Sequence, residues 1–151
     1  FEVMAEWYRR LEIGIPGGEL SDLVQENLPF EKFGIFLNAG HLIHLDEWVS
    51  SPIYPGSQVK LHSGMAIQVD VIPDSPVYFS TRMEDGLVLA DAALRRQIEA
   101  SYPACYERIQ QRRKFMQEVL GFELPEEVLP LGNMQGIVPP FFLRPNLVFT
   151  L

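Results

Sequence analysis

The sequence is poor in cysteine and in clustered positive charge, and it has no long hydrophobic run. Cys105 is the single cysteine, so the chain cannot form an intramolecular disulfide. Because Cys105 lies among helix-forming residues, we expect a buried structural thiol rather than a nucleophile. A chain without disulfides is compatible with a reducing compartment, and we expect a cytoplasmic protein.

Positive charge is scarce and dispersed. The chain has 12 Lys and Arg against 20 Asp and Glu, which gives a formal charge of -8. The densest basic run, Arg112–Lys114, is predicted to be the solvated face of a helix. No apolar run approaches the roughly 20 residues that cross a bilayer. We therefore expect neither nucleic acid nor a membrane as a partner.

The length and the apolar content indicate one core. With 151 residues, 47% of them hydrophobic, the chain is predicted to form a single domain over residues 1–151. It opens at Phe1 inside a helical pattern and without an initiator Met, so we expect a piece of a longer chain. No phosphate-binding loop, dinucleotide fingerprint or nucleophile-elbow motif occurs.

Hydrophobic periodicity predicts an α+β fold. Apolar residues at helical spacing, together with Pro, Gly and a capping Asp91 at the boundaries, predict helices over 1–11, 19–27, 92–100 and 103–120. Alternating or short apolar runs predict strands over 34–37, 41–45, 66–72, 83–90 and 146–151. The strands 66–72 and 83–90 should pair antiparallel, because their connection is too short for a crossover helix.

Three residues of this strand-rich block can supply metal ligands. Asp70 lies in mid-strand between two valines, where a carboxylate needs a hydrogen-bonding or cationic partner; a satisfied structural Asp explains it equally well. Glu84 lies on the adjacent strand, where a surface acid is the alternative. His41 follows a tight Asn-Ala-Gly turn, and a satisfied core histidine is the alternative. Such nitrogen and oxygen donors suit Zn, Mn, Fe or Co.

The order of short motifs resembles the pita-bread metallohydrolases, which include Xaa-Pro aminopeptidases, prolidases, methionine aminopeptidases and creatinase. The resemblance extends over about residues 1–90. The matching segments, in chain order, are Ile15–Glu19, Gly40–His41, Ser51–Pro52, Leu61–Met65 and Glu84–Asp85. It implies the C-terminal half of a pita-bread domain, a curved and mainly antiparallel sheet covered by helices.

The resemblance also implies a metal site and a reaction. His41 and Glu84 match metal ligands that take part in catalysis, and Asp70 occupies the position of a third ligand, a Glu in the family. The implied cofactor is a divalent metal (Mn, Co, Zn or Fe), and the implied substrate is a peptide or a small amide. Two further aspartate ligands of the family precede the first helix, so we expect residues 1–151 alone to be inactive.

Two rival interpretations remain open. The parent protein is a pseudo-enzyme or binding module if the Glu-to-Asp change at position 70, and the lack of a His shortly before Pro52, mark lost catalysis. A purely structural or oligomerisation domain is the third interpretation. We also expect a homodimer, formed by apolar surface that the missing half would cover; the candidates are Phe1, Trp7, Ile35, Phe36 and residues 141–143.

Overall fold

A computed structural model describes residues 1–35, 37–44, 49–77 and 83–151. Its helices are α1 (Glu2–Arg10), α2 (Gly17–Asn27), α3 (Phe30–Phe33), α4 (Ala92–Ser101) and α5 (Pro103–Glu118). Its strands are β1 (His41–Leu42), β2 (Ala66–Val71), β3 (Met83–Leu89) and β4 (Val128–Pro130). No helix in these ranges is long and apolar enough to cross a membrane.

The four strands form one sheet in the order β1-β2-β3-β4, with every neighbouring pair antiparallel. The longest pairing joins β2 to β3, from Ala66 opposite Val88 to Val71 opposite Met83. The antiparallel pairing predicted for these two strands is confirmed, and helices combined with an antiparallel sheet give the predicted α+β class.

The two faces of the sheet differ because successive side chains of a strand alternate. One face carries the buried apolar side chains of β2 and β3, which belong to one core cluster with those of α1 and α2. On the other face, a smaller cluster packs Leu129 against Ile109 of α5. The polar residues of β2 share this second face, nearer to β1. The first face therefore builds the main core, and the second face holds the candidate site.

Glycine lets the start of α2 approach the loop over residues 51–59. The N–H groups of Gly17 and Gly18 donate to the carbonyl oxygens of Val59 and Ser57, at 2.9 and 3.1 Å. A Cβ on Gly17 would lie 2.1 Å from the carbonyl oxygen of Pro52, far inside van der Waals contact. The Pro-Gly-Gly run therefore serves close backbone packing as well as ending the preceding turn.

Three strand predictions were wrong. Residues 34, 35 and 37 are not in a strand, while Phe36 lies outside the described residues. The predicted strand 41–45 is limited to His41–Leu42, with Leu45 outside the described residues. The tail 146–151 makes single backbone hydrogen bonds, Phe149 to Val138 and Leu151 to Leu120, rather than a ladder. The sheet is completed instead by β4, which ends in Pro130 and is only 3 residues long.

Three burial predictions were also wrong. Cys105 is exposed, because residues 103–105 at the start of α5 belong to neither apolar cluster. Arg113 is buried rather than solvated, since its guanidinium donates to the carbonyl oxygens of Leu124, Pro125 and Val128. Trp7 has no exposed surface and belongs to the core, so it cannot form part of an uncovered apolar face.

Candidate functional site

The structure brings His41 and Asp70 together in the interior. The Nε2 atom of His41 lies 3.6 Å from the Oδ2 atom of Asp70, and each side chain is only 6% exposed. The sheet register explains the meeting. His41 lies opposite Gln68, and Asp70 is two residues further along the same strand, so all three side chains project from the same face.

The second ring nitrogen of His41 fixes how the imidazole is protonated. Nδ1 lies 3.0 Å from the carbonyl oxygen of Leu42, and because a carbonyl oxygen only accepts, Nδ1 carries the hydrogen. A histidine held in this way by the backbone turns Nε2 towards its other neighbour, as metal-binding histidines do. In a neutral imidazole, Nε2 is then an acceptor that faces an acceptor of Asp70. A proton or a cation between the two atoms makes that approach favourable.

A loop serine and a glycine hold the backbone next to His41. Ser51 Oγ donates to the carbonyl oxygen of Gly40 at 2.8 Å and accepts from the N–H of Ile53 at 3.0 Å. Gly40 has a φ of 137°, and a Cβ there would lie 3.2 Å from the Trp7 ring, so this position requires glycine. Ser51 therefore holds the turn of the loop, and through Gly40 it supports the backbone at His41.

Glu84 lies on the same face of the sheet as His41 and Asp70, but it is not part of their contact. It lies directly opposite Asp70 in the β2–β3 register. Its side chain is exposed, and its Oε1 atom accepts a hydrogen bond from Gln68 Nε2 at 2.5 Å. Gln68 was not among the predicted site residues, although its alternation with Asp70 along β2 placed it on the same face.

His41, Asp70 and Glu84 offer the types of donor atom that a divalent metal accepts, but the three side chains do not converge on one point. Imidazole nitrogen and carboxylate oxygen are the donors that Mn, Co, Zn and Fe accept. Across the described residues, however, no group of three His, Cys, Asp or Glu side chains lies close enough to hold a metal ion. His41 and Asp70 supply two adjacent donors, and the hydrogen bond to Gln68 holds the Glu84 carboxylate apart from them. The other two histidines, His44 and His62, are exposed.

The acid next to Glu84 lies on the opposite face and has a different environment. Asp85 Oδ2 accepts from the backbone N–H of Gly136 at 2.9 Å, and Gln135 Nε2 donates to the Tyr8 hydroxyl at 2.8 Å. Desolvation raises the pKa of Asp85, although hydrogen bonds from Gly136 and Tyr8 oppose the rise. Burial raises the pKa of the Tyr8 hydroxyl well above its ordinary value. These side chains join α1, β3 and the segment after β4, and sequence reasoning did not single them out.

Comparison with known proteins gives partial structural matches. No protein-family model and no curated protein matches the chain. A dipeptidase from Pyrococcus horikoshii OT3 is similar over 58% of this chain, with 22% identity and a TM-score of 0.47. An Xaa-Pro dipeptidase from Bacillus anthracis is similar over 61% of this chain, with 23% identity and a TM-score of 0.43. The matched part spans 26% of the length of each of these structures.

Proposed function

We propose that the chain is the C-terminal part of a metal-dependent, peptidase-like hydrolase domain, similar to Xaa-Pro aminopeptidases, and that residues 1–151 do not catalyse hydrolysis alone. The buried contact between His41 and Asp70 carries the proposal. These two residues were selected from the sequence as metal ligands, and they are 29 positions apart, yet they meet at 3.6 Å. Burying a carboxylate and an imidazole costs free energy of desolvation. Such a pair is retained where it shares a proton or serves a functional site.

The residues of the candidate site would act as metal ligands. His41 and Asp70 would hold a divalent metal, with the His41 ring oriented by the Leu42 carbonyl. Glu84 would join them only after releasing Gln68, because its carboxylate is hydrogen-bonded to that amide. Such a metal, when bound, supplies a Lewis acid for amide hydrolysis. The substrate would be a peptide or a small amide. The family resemblance implies two further aspartate ligands that residues 1–151 do not match, and we therefore propose that these residues alone are inactive.

Metal titration with matched variants tests the proposal. Mn²⁺, Co²⁺ and Zn²⁺ are titrated into residues 1–151 by calorimetry, and hydrolysis of Xaa-Pro dipeptides is measured under the same conditions. We expect weak metal binding that is lost in His41→Ala and retained in His62→Ala, because His62 is an exposed loop histidine. We expect no turnover with any metal. Turnover that His41→Ala abolishes and His62→Ala preserves would contradict the proposed inactivity.

A binding module without catalysis is the second candidate. Two observations favour it: Gln68 holds the Glu84 carboxylate by a hydrogen bond, and Asp70 stands where the family has Glu. The Asp70 side chain is one methylene shorter than Glu, which withdraws its oxygens by roughly 1.5 Å, and metal–ligand distances tolerate only about 0.2 Å. Asp70→Glu separates the two candidates. Tighter metal binding by this variant than by the wild type indicates an impaired metal site, whereas no metal binding by either protein favours the binding module.

We also propose that the chain forms a homodimer through its exposed apolar surface. Phe141, Phe142 and Leu143 are 58%, 96% and 85% exposed, respectively. Consecutive apolar side chains with this exposure are typical of a covered surface. Light scattering across a dilution series tests this proposal. A monodisperse monomer of 17.2 kDa at high micromolar concentration would contradict it, and Phe142→Ser should shift a dimer towards monomer.

A further inference from the structure

A fourth polar side chain lies among the three candidate metal ligands. Gln68 is opposite His41 in β1 and opposite Gly86 in β3. Because side chains alternate along a strand, Gln68 shares its face with Asp70, two positions along β2, and with Glu84, which is opposite Asp70. The polar side chains therefore pair along two diagonals of one patch, with His41 meeting Asp70 and Gln68 meeting Glu84.

The register of the sheet explains why Gln68 donates to Glu84. The Nε2 atom of Gln68 lies 2.5 Å from the Oε1 atom of Glu84, and diagonal partners on neighbouring strands are within reach of long side chains. Directly opposite Gln68 in β3 is Gly86, and Val88 lies on the other diagonal. Neither of these residues has a side chain that accepts a hydrogen bond. Glu84 is therefore the acceptor that β3 offers to the Gln68 amide.

This hydrogen bond competes with metal coordination by Glu84. In the described parts of the chain, no three donors of His, Cys, Asp or Glu converge on one point, and Glu84 is the candidate ligand that stays exposed. It nevertheless lies directly opposite Asp70, where Cβ atoms are about 4.5–5.5 Å apart. Rotation of its own side chain can therefore bring the carboxylate to Asp70, once the hydrogen bond to Gln68 is broken.

We propose that Gln68 is a positioning residue that controls how many ligands the metal site offers. Its amide holds Glu84 apart and leaves the two donors of His41 and Asp70; without the amide, Glu84 joins them as a third ligand for a divalent metal. Like charges directly opposite each other repel, so Glu84 turned towards Asp70 requires a cation between the two carboxylates. Release of Glu84 and metal binding are thus coupled. The inference rests on the proposed function, because it concerns the same metal site.

Metal titration of Gln68→Ala tests the inference. Mn²⁺ and Zn²⁺ are titrated by calorimetry into residues 1–151, as the wild type and as each variant. The matched control is Gln111→Ala, which removes another hydrogen bond from a glutamine amide to a glutamate, the exposed contact of Gln111 with Glu107 on α5. Glu84→Ala is measured alone and combined with Gln68→Ala, because such a double-mutant cycle isolates the coupling between the two side chains.

We expect Gln68→Ala to bind metal about fivefold to tenfold more tightly than the wild type, where tenfold corresponds to about 1.4 kcal/mol. Gln111→Ala should bind like the wild type. Glu84→Ala should leave the weak binding of the wild type nearly unchanged and should abolish the gain of Gln68→Ala. If Gln68→Ala fails to fold, Gln68→Thr makes the same test, since threonine suits a strand and is too short to reach Glu84.

The failure of this inference is distinguishable from the failure of the proposed function. Metal binding that depends on His41 but is not tightened by Gln68→Ala would overturn the control by Gln68 and leave the metal site standing. A gain that persists in the double variant, or that Gln111→Ala reproduces, would overturn the control as well. The absence of metal binding in every variant would contradict both the inference and the proposed function.

Discussion

Gly17→Ala should disturb the fold and the candidate site together. A Cβ on Gly17 would lie 2.1 Å from the Pro52 carbonyl oxygen and 3.2 Å from the Cα atom of Ile53. Both of these neighbours are backbone atoms, so no side-chain rotation relieves the overlap. Reaching even 3.0 Å, the shortest distance that real Cβ atoms keep, requires the loop to move by about 0.9 Å relative to α2. Ser51, next to Pro52, would move with it.

The cost of this movement is moderate but measurable. Overpacking a closely packed contact costs typically about 1–3 kcal/mol. The reduced backbone entropy of the unfolded chain returns about 0.4–1 kcal/mol on changing Gly to Ala. We expect a net loss of roughly 1–2 kcal/mol, which lowers the Tm of a chain of this size by about 2–8 °C. Gly132→Ala is the control, because the nearest atom to its new Cβ would be the end of the Gln135 side chain, at 3.4 Å. Its effect should stay within about 0.5 kcal/mol.

Thermal and urea unfolding of the two variants, followed by circular dichroism, provide the measurement. The loop contact also predicts a local effect. Ser51 joins the loop to Gly40, so NMR resonances of His41 should shift in Gly17→Ala and remain unchanged in Gly132→Ala. Equal stability of the two variants would refute the backbone contact. A loss of stability without any change at His41 would refute the connection through Ser51.

Three further predictions concern individual polar contacts. Desolvation raises the pKa of Asp85 above its usual 3.8 in the folded chain, so the free energy of unfolding should fall as the pH rises from 3.8 through the folded pKa. Asp85→Asn should remove that fall when unfolding is measured across this pH range. Arg113→Ala should lose roughly 3 kcal/mol or more by denaturant titration, since three buried carbonyl oxygens lose a charged donor. Ser51→Ala should cost about 1 kcal/mol in the same titration, because it removes the hydrogen bond to Gly40; a change below the error of the measurement would contradict that contact.

Local patterns predicted the four longer helices, but not the single turn α3. α1, α2, α4 and α5 begin and end within a few residues of the predicted ranges, because their signals are helical periodicity, breakers and caps within one or two turns. The Asp91 cap is confirmed, as its side chain accepts from the Leu94 N–H. The antiparallel β2–β3 pair was predictable from alternation and from a connection too short for a helix.

Strand partners and burial could not be predicted in the same way. β4 has no alternation to detect, and it becomes a strand only because β3 offers hydrogen-bonding groups along its edge. Residues 146–151 show the opposite case: their composition is typical of a strand, but they do not pair with any strand of the sheet. Arg113 reads as part of a charged helix face, but three carbonyl oxygens from residues 124–128 converge on it.

The sequence by itself determined which chemical groups are available and on which side of β2 and β3 they lie. His41, Asp70 and Glu84 follow from motif order, and alternation along the strands separates Glu84 from Asp85. Only the tertiary structure decided which groups meet. It joins His41 to Asp70, ties Glu84 to Gln68 and places Asp85 against Gly136. The physical reason is that a buried polar group is stabilised by whichever partner the packing supplies, and most of these partners are distant in sequence.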